Sequence, residues 1–431
     1  MNRKNQIHSV LALAAGAVLG GLLAPMWMVV QLSNGFLTAE FDQPYSARMA
    51  YYLFLGAVAL GGVISGLLKD RFSGRAGLLA GAAAAFAGCL GASLMPDGFY
   101  GFYCVAGGLG FGMLLLAGLC GVQEWAPRQK GLACGLIFGG FALVNAALVS
   151  PLRRMVKLEG LSGLLMACAV LALVGGVLAA LALGKPSEEF RRDALSGNLR
   201  IQPSSKQYTV AGMLKTVQFY QLAVSMVIAF SFYCMVSQRL GVFGELKGLE
   251  YTAHPSYLSM VAAAVALGAV VLGAASDYLR RKPSLLGLFV IATVGGFLTG
   301  KFTGMLFWVG GFIAGLALGG CLSAFPAVLT DFYGEEHAGA NSAVGLLFFP
   351  GALAALDAAA NGLAQQQNGL AMPFEFAMLV PIVGIFLIFI LQRPTAPKLV
   401  GARPAPQGVA GDGEDHQPAA QEQPVTSQDD K

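Results

Sequence analysis

Apolar runs of about twenty residues recur along most of this chain, the length that a bilayer's hydrocarbon core asks of a helix. Only 12% of the 431 residues are charged and 56% are apolar; a soluble domain carries about 25% charge. In hydrocarbon each backbone N–H and C=O must find its partner inside the chain, which leaves helices or a closed barrel. A barrel would show alternating strands of about ten residues. These runs are continuous and rich in Ala, Leu and Gly, so helices are predicted. Twelve spans are expected, at 9–32, 49–68, 77–95, 99–122, 131–152, 161–183, 216–238, 255–276, 284–301, 303–326, 338–361 and 373–392. The short basic start, Met1 to His8, followed by apolar residues to Val30, is too long for a signal core and is expected to stay as the first span.

A second feature divides the chain. Gly66-Leu-Leu-Lys-Asp70-Arg71-Phe-Ser-Gly-Arg75 returns as Gly273-Ala-Ala-Ser-Asp277-Tyr-Leu-Arg-Arg281-Lys282, 207 residues later. Glu124-Trp125 and Asp331-Phe332 share that offset, as do Gln31 and Gln238. One register held across half the chain marks two copies of one unit. The expected fold is an all-α membrane protein with twelve transmembrane helices in two pseudo-symmetric six-helix bundles. Residues 1–183 form the first bundle, 184–215 a polar cytoplasmic linker and 216–392 the second bundle. The tail, 393–431, is rich in Pro, Gln, Ala and Asp without apolar periodicity, and reads as disordered and cytoplasmic.

Basic residues set the orientation. With the amino end inside, inner segments hold 20 of the 27 Lys and Arg and outer segments 7. Both termini are therefore expected in the cytoplasm, in the inner membrane. The net charge of +4 is too small to suggest a nucleic-acid partner. The seven cysteines lie singly inside apolar runs, as small buried hydrophobes do. The four His are scattered at ends and loops, and the chain has no Gly-x-x-x-x-Gly-Lys loop. No enzyme, no metal, no cofactor and no direct ATP drive is expected. The 58 glycines let helices approach closely, whether for packing alone or for sliding.

Asp70 falls one turn beyond Gly66 at the inner edge of the second span. A carboxylate there can meet the positive end of a neighbouring helix and a nearby guanidinium. Such a contact can exist in one arrangement of the halves and break in another; alternatively the loop is a solvated, positive-inside connection. Two copies at one offset favour a latch made of Gly66, Asp70, Arg71 and Arg75 with Gly273, Asp277, Arg281 and Lys282.

The Gly-x-x-x-Asp-Arg loop resembles the signature of the major facilitator superfamily, with a weaker second copy. Ser73 stands where that family commonly has Gly. Trp125-Ala-Pro127-Arg-Gln-Lys-Gly131-Leu-Ala-Cys-Gly135 through Phe141 resembles the oxalate/formate antiporter and monocarboxylate porter group. So do Glu40-Phe41-Asp42, Tyr45-Ser46 and Arg48 in the first outer loop, and Asp331 to Asn341 in the second half. The resemblance implies the major facilitator fold and a secondary transporter working by alternating access. The group's oxalate carriers use two cations, but Ala269 and Pro350 stand at those positions, which argues against oxalate. The Lys and the Asp/Arg pair of the proton-coupled animal members are also missing.

The expected substrate is a small organic anion, a monocarboxylate, moved with a co-transported proton or exchanged for a counter-anion. Lipid and the solute are the expected partners, and a monomer is the family default. No charge lies near the middle of any span. Asp357, at the outer end of the eleventh, is either an interfacial acid or the coupling group. Arg48, Arg153, Arg154 and Arg239 at outer span ends either snorkel or attract an anion. Polar cavity candidates are Asn145, Ser225, Ser231, Tyr233, Ser259 and Ser323, with Trp27, Tyr51 and Tyr52; each alone could equally be a helix–helix hydrogen bond. Pro350 removes a backbone bond, leaving either a kink or a carbonyl freed for substrate. A non-transporting solute sensor and an exporter of a neutral or amphipathic solute remain as alternatives.

Overall fold

The computed structural model describes residues 3–40, 47–195, 207–236, 244, 247–250, 253–364 and 372–394. The Phe41-Asp42 and Tyr45-Ser46 match, Gln238, Arg239 and the tail from residue 395 on lie outside the described residues, as does the side chain of Arg153. All regular secondary structure among the described residues is helical. In order come α1 (Arg3–Glu40), α2 (Ala47–Arg71), α3 (Gly74–Leu94), α4 (Gly108–Trp125), α5 (Lys130–Ala182), α6 (Glu188–Leu195), α7 (Val210–Leu214), α8 (Val217–Ala229), α9 (Ser231–Met235), α10 (His254–Leu279), α11 (Arg281–Lys301), α12 (Met305–Tyr333), α13 (Ala338–Leu346), α14 (Phe348–Ala364) and α15 (Met372–Ile390).

Eleven segments among the described residues are long and apolar enough to cross a membrane. A shorter apolar stretch, Met378–Ile390, lies in α15, where the sequence predicts the twelfth span. The 53-residue α5 would be about 80 Å long if straight, far beyond one bilayer crossing. It is two spans, Lys130–Val156 and Gly160–Ala182, joined where Gly160 takes φ 76°, a backbone region open mainly to glycine. Two other spans are interrupted. The seventh breaks at Phe230 between α8 and α9, and the eleventh at Leu347 between α13 and α14. The second break comes three residues before Pro350, which has no N–H to continue the ladder.

Helices α1 to α5 pack on one another, as do α8 to α15. Across these groups, α10 lies on α5, while α13 and α14 lie on α2. Side chains such as Leu60, Leu181, Val271 and Phe386 point outward, the expected face toward lipid. Glycines let the crossing helices touch backbone to backbone: a Cβ on Gly135 would lie 2.1 Å from the Ala269 carbonyl oxygen, and one on Gly66 2.5 Å from that of Gly339.

Candidate functional site

The inner ends of α2 and α10 each reach across to a helix of the other group. Asp70, near the end of α2, accepts hydrogen bonds from the backbone N–H groups of Gly339 (3.0 Å) and Ala340 (2.8 Å). Asp277, near the end of α10, accepts from those of Gly131 (2.9 Å) and Leu132 (2.9 Å). The first turn of a helix has N–H groups with no partner inside the helix, and a carboxylate satisfies them while meeting the positive end of the helix dipole. The arrangement is reciprocal: α2 holds the start of α13, and α10 holds the start of α5. Lys130 Nζ, beside Gly131, bonds Glu335 (2.8 Å), four residues before Gly339. Both clasps therefore lie at one end of the molecule.

The two clasps are built unequally. Asp70 is exposed, whereas Asp277 is buried. Arg281 Nη1 is 2.8 Å from Asp277 and 2.7 Å from Ser276 Oγ, and its Nε is 2.7 Å from Asp331. Asp331 also meets Lys130 (3.2 Å), and Glu335 is shared by Lys130 and Arg191 Nη2 (2.9 Å). Three acids and three bases thus alternate along one chain, buried from Asp277 to Lys130 and half-exposed at Glu335 and Arg191; pairing is how charges are tolerated away from water. Burial pushes the Glu335 carboxyl up, but attraction and hydrogen bonds from Lys130 and Arg191 outweigh it and hold the group below its usual value. On the first copy Lys69 meets Glu124 at 3.0 Å, and nothing comparable surrounds Asp70 among the described contacts. Sequence pattern ranks the first copy as the stronger motif; the second holds the denser network.

The remaining latch candidates take other places. Arg71 lies over the Phe72 ring (5.8 Å), Lys282 over Phe389 (5.8 Å), and the Arg75 guanidinium lies against Gly184. Ser73 accepts from the Ala76 N–H at 3.4 Å and caps α3, so the departure from Gly gives the helix a start signal. Its counterpart Arg280 sits at φ 72° and turns Arg281 inward.

The linker end is fastened to the same region. Gln207 Oε1 accepts from the N–H groups of Glu335 (2.8 Å) and Glu336 (3.0 Å), and Asn341 Nδ2 donates to the Tyr208 carbonyl (2.7 Å). Between the groups, Thr330 Oγ1 donates to Gln123 Oε1 at 2.6 Å. These residues are themselves 207 apart, so equivalent positions of the two copies touch each other. Sequence reasoning did not single out this pair, although it lies one residue before the aligned Glu124 and Asp331; Lys130 and Arg191 stood out only as inner basic residues, Lys130 also within the Trp125–Phe141 match, and Glu335 only within the Asp331–Asn341 match.

A cleft lies just beyond the clasps. Val58, Ala59 and Gly62 of α2 and Phe138 of α5 face Phe349 and Pro350 of α14 across a cavity of about 30 Å³, room for roughly two waters. Its lining is apolar. At the other end of α2, Tyr52 donates to Asp357 Oδ2 at 2.9 Å, which brings a cavity candidate and the coupling candidate together across the groups. Gln31 Nε2 donates to the Tyr233 hydroxyl. Trp27 is buried among Tyr51, Phe54, Phe111 and Phe141. Asn145 and Ser225 bond carbonyls one turn back on their own helices, and Ser323 bonds Gly320. Ser259 is half-buried, and buried Ser231 Oγ has no hydrogen-bond partner among the described residues.

A profile described as Major Facilitator Superfamily matches residues 7–356. The chain belongs to this superfamily. It is therefore a multi-pass membrane protein whose work is transport of a solute, a role for transporters rather than enzymes. A relative in Escherichia coli (strain K12), the uncharacterized MFS-type transporter YhjX, is 25% identical over 335 residues, covering 74% of this chain and 79% of that one. Superfamily structures share the fold at low identity. The proton:xylose symporter XylE, bound to 6-bromo-6-deoxy-D-glucose, has TM-score 0.68 at 16% identity, covering 89% of this chain and 95% of its own. FucP in the outward conformation has TM-score 0.65 at 12% identity, over 90% and 100%. The human organic anion transporter MFSD10 has TM-score 0.68 at 12% identity, over 90% and 100%.

Proposed function

We propose that the chain is a secondary transporter that moves a small organic anion, a monocarboxylate, across the cytoplasmic membrane by alternating access. It acts as a monomer of two six-helix bundles, 1–183 and 216–392, with both termini in the cytoplasm. The carrying observation is the reciprocal pair of carboxylate clasps. Parting the halves at that end strips both carboxylates of their helix partners, so the clasps favour one arrangement over the other. Gly66 and Gly273, one turn before each acid, let the backbones close.

The apolar cleft bears on the substrate. A bare carboxylate against such walls would be unpaired and strongly disfavoured. A monocarboxylate has one charge on an apolar body, and a co-transported proton would remove that charge; exchange for a counter-anion is the other route. Asp357, bonded by Tyr52 between the halves, is the coupling group on this reading. The fold relatives include sugar:proton symporters and an organic anion transporter, so the fold does not choose among solutes. The same apolar lining favours, as second reading, a neutral or amphipathic solute.

Uptake of labelled short carboxylates into vesicles holding the purified, folded protein, with and without a pH gradient, tests the proposal. Carboxylate uptake that follows the gradient supports it. Uptake of neutral solutes alone selects the second reading, and no uptake of either overturns both.

A further inference from the structure

Helix α2 grips the eleventh span at both ends. At the clasped end Asp70 accepts from the N–H groups of Gly339 and Ala340. At the other end Tyr52 donates to Asp357. Tyr52 to Asp70 is 18 residues, and so is Gly339 to Asp357. Eighteen residues make five helical turns, about 27 Å. Both grips therefore lie on one face of each helix, along one antiparallel seam. The break at Leu347 and the missing N–H of Pro350 fall between them. The seam is not packed there: Val58 and Gly62 face Leu347 and Pro350 across the small cleft, and a Cβ on Gly62 would meet nothing within 4 Å.

The two pieces of this span are held unequally. On α13 a Cβ at Gly345 would lie 2.4 Å from Leu329, Gly339 touches Gly66, and Asn341 bonds the Tyr208 carbonyl. On α14, Pro350 leaves the Leu346 carbonyl without its helical donor. Gly351 follows, exposed and with nothing within 4 Å of a Cβ; Pro and Gly are where helices bend. Helix α2 is fixed to its own group, since a Cβ on Gly61 would lie 2.1 Å from the Leu109 carbonyl oxygen of α4. The equivalent seam, α10 on the fifth span, lacks this slack. Cβ atoms on Gly131, Gly135 and Gly139 would lie 2.4, 2.1 and 2.7 Å from atoms of α10, and the helix runs unbroken over Lys130–Val156. Ser259 and Ser150 stand where Tyr52 and Asp357 would recur, and no hydrogen bond joins them among the described residues.

We infer that Tyr52 and Asp357 are the gate at the end opposite the clasps, and that α14 opens it by swinging about Leu347–Gly351 while α13 stays clasped to α2. The inference rests on the alternating-access reading and not on which solute is carried. A second contact between the groups fits it. Gln31, one turn beyond the Trp27 that touches Tyr51, donates to the Tyr233 hydroxyl. Tyr233 lies on α9, the far piece of the other interrupted span. Both contacts thus fall on half-helices beyond a break, so this end opens without disturbing the buried ion pairs at the clasps.

The test is electron–electron distance measurement between spin labels on the full chain in lipid nanodiscs, without solute. One pair, Met49→Cys with Gly362→Cys, reports the gate; the other, Phe72→Cys with Glu336→Cys, reports the clasped end. Met49, Gly362, Phe72 and Glu336 are exposed. The seven native cysteines are buried, and the parent chain sets the background. Tyr52→Phe keeps the ring and removes the donor. It should raise the population with a longer 49–362 distance about tenfold, the factor set by one hydrogen bond to a charged group, and leave the 72–336 distance unchanged. Adding Pro350→Ala restores the missing N–H and should cut that gain back toward wild type. A thermal melt of each variant verifies the fold. An unchanged 49–362 distance overturns the gate. A longer 72–336 distance as well shows general loosening and overturns it too, and a gain undiminished by Pro350→Ala overturns the hinge. None of these results bears on solute transport, which the uptake assay decides.

Discussion

Replacing Asp277 with Asn should open the clasped face far more than the same change at Asp70. The Asp277–Arg281 pair lies on one side of the crossing and survives any separation of the halves, so it cancels. Arg281 also keeps Asp331 at 2.7 Å, so no charge is orphaned. What separation removes is the pair of N–H bonds from Gly131 and Leu132, both 2.9 Å. Asparagine keeps one acceptor oxygen, so one charge-assisted bond is lost, about 1.5–3 kcal/mol. Attraction between a buried carboxylate and a helix end adds about 1 kcal/mol. Together the closed state loses about 3 kcal/mol, roughly two powers of ten in population. Asp70 is exposed, and water screens its contact with α13, leaving about 0.3–1 kcal/mol. Cys120 and Cys134 are buried beside the clasps and report the change through their rate of modification by a membrane-impermeant maleimide. Labelling should accelerate strongly in Asp277→Asn and only a few-fold in Asp70→Asn, and the increment should vanish when both cysteines are replaced by Ser. An Asp277→Asn rate equal to wild type, or an effect larger at Asp70, would refute the reasoning.

Gly135→Ala puts a Cβ 2.1 Å from the Ala269 carbonyl, so α5 and α10 cannot close; the same maleimide should label this variant faster, and wild-type rates would contradict the contact. Arg280 is exposed and holds φ 72°, a conformation that strains a residue with a Cβ by about 1–2 kcal/mol; Arg280→Gly should raise the melting temperature, and a fall would show that the side chain matters more than the strain. Glu335 has a lowered pKa in the folded protein against an ordinary value of 4.5, so its stabilisation is complete above the ordinary value and is lost as pH falls through the lower one. Melting temperature should therefore be insensitive to this group at neutral pH and decline in acid, less steeply in Glu335→Gln; equal slopes would refute the assignment.

Much of the architecture was legible in the chain because hydrophobic length and local turn chemistry are sequence-local. The apolar runs located the eleven long apolar helices, and the 207-residue register picked out Asp70 and Asp277, which lie against the starts of α13 and α5. Ser73 could be noted as a departure, but its cap became visible only with the α3 start in place. Pro350 announced a break in the eleventh span, and the break lies at Leu347. Phe230 carries no such signal, because a local change of helix that packing imposes leaves no Pro or Gly behind.

What the sequence alone determined is a helical membrane chain, since apolar length and periodicity are properties of neighbours along the chain. Only the tertiary structure decided that the second clasp is the buried one, that Gln123 meets its own equivalent Thr330, and that Tyr52 meets Asp357. These contacts join residues hundreds of positions apart, and their strength depends on what each side chain is buried against. Gly62 and Gly61 are identical in sequence and differ only in what stands opposite, a backbone in one case and an empty cleft in the other.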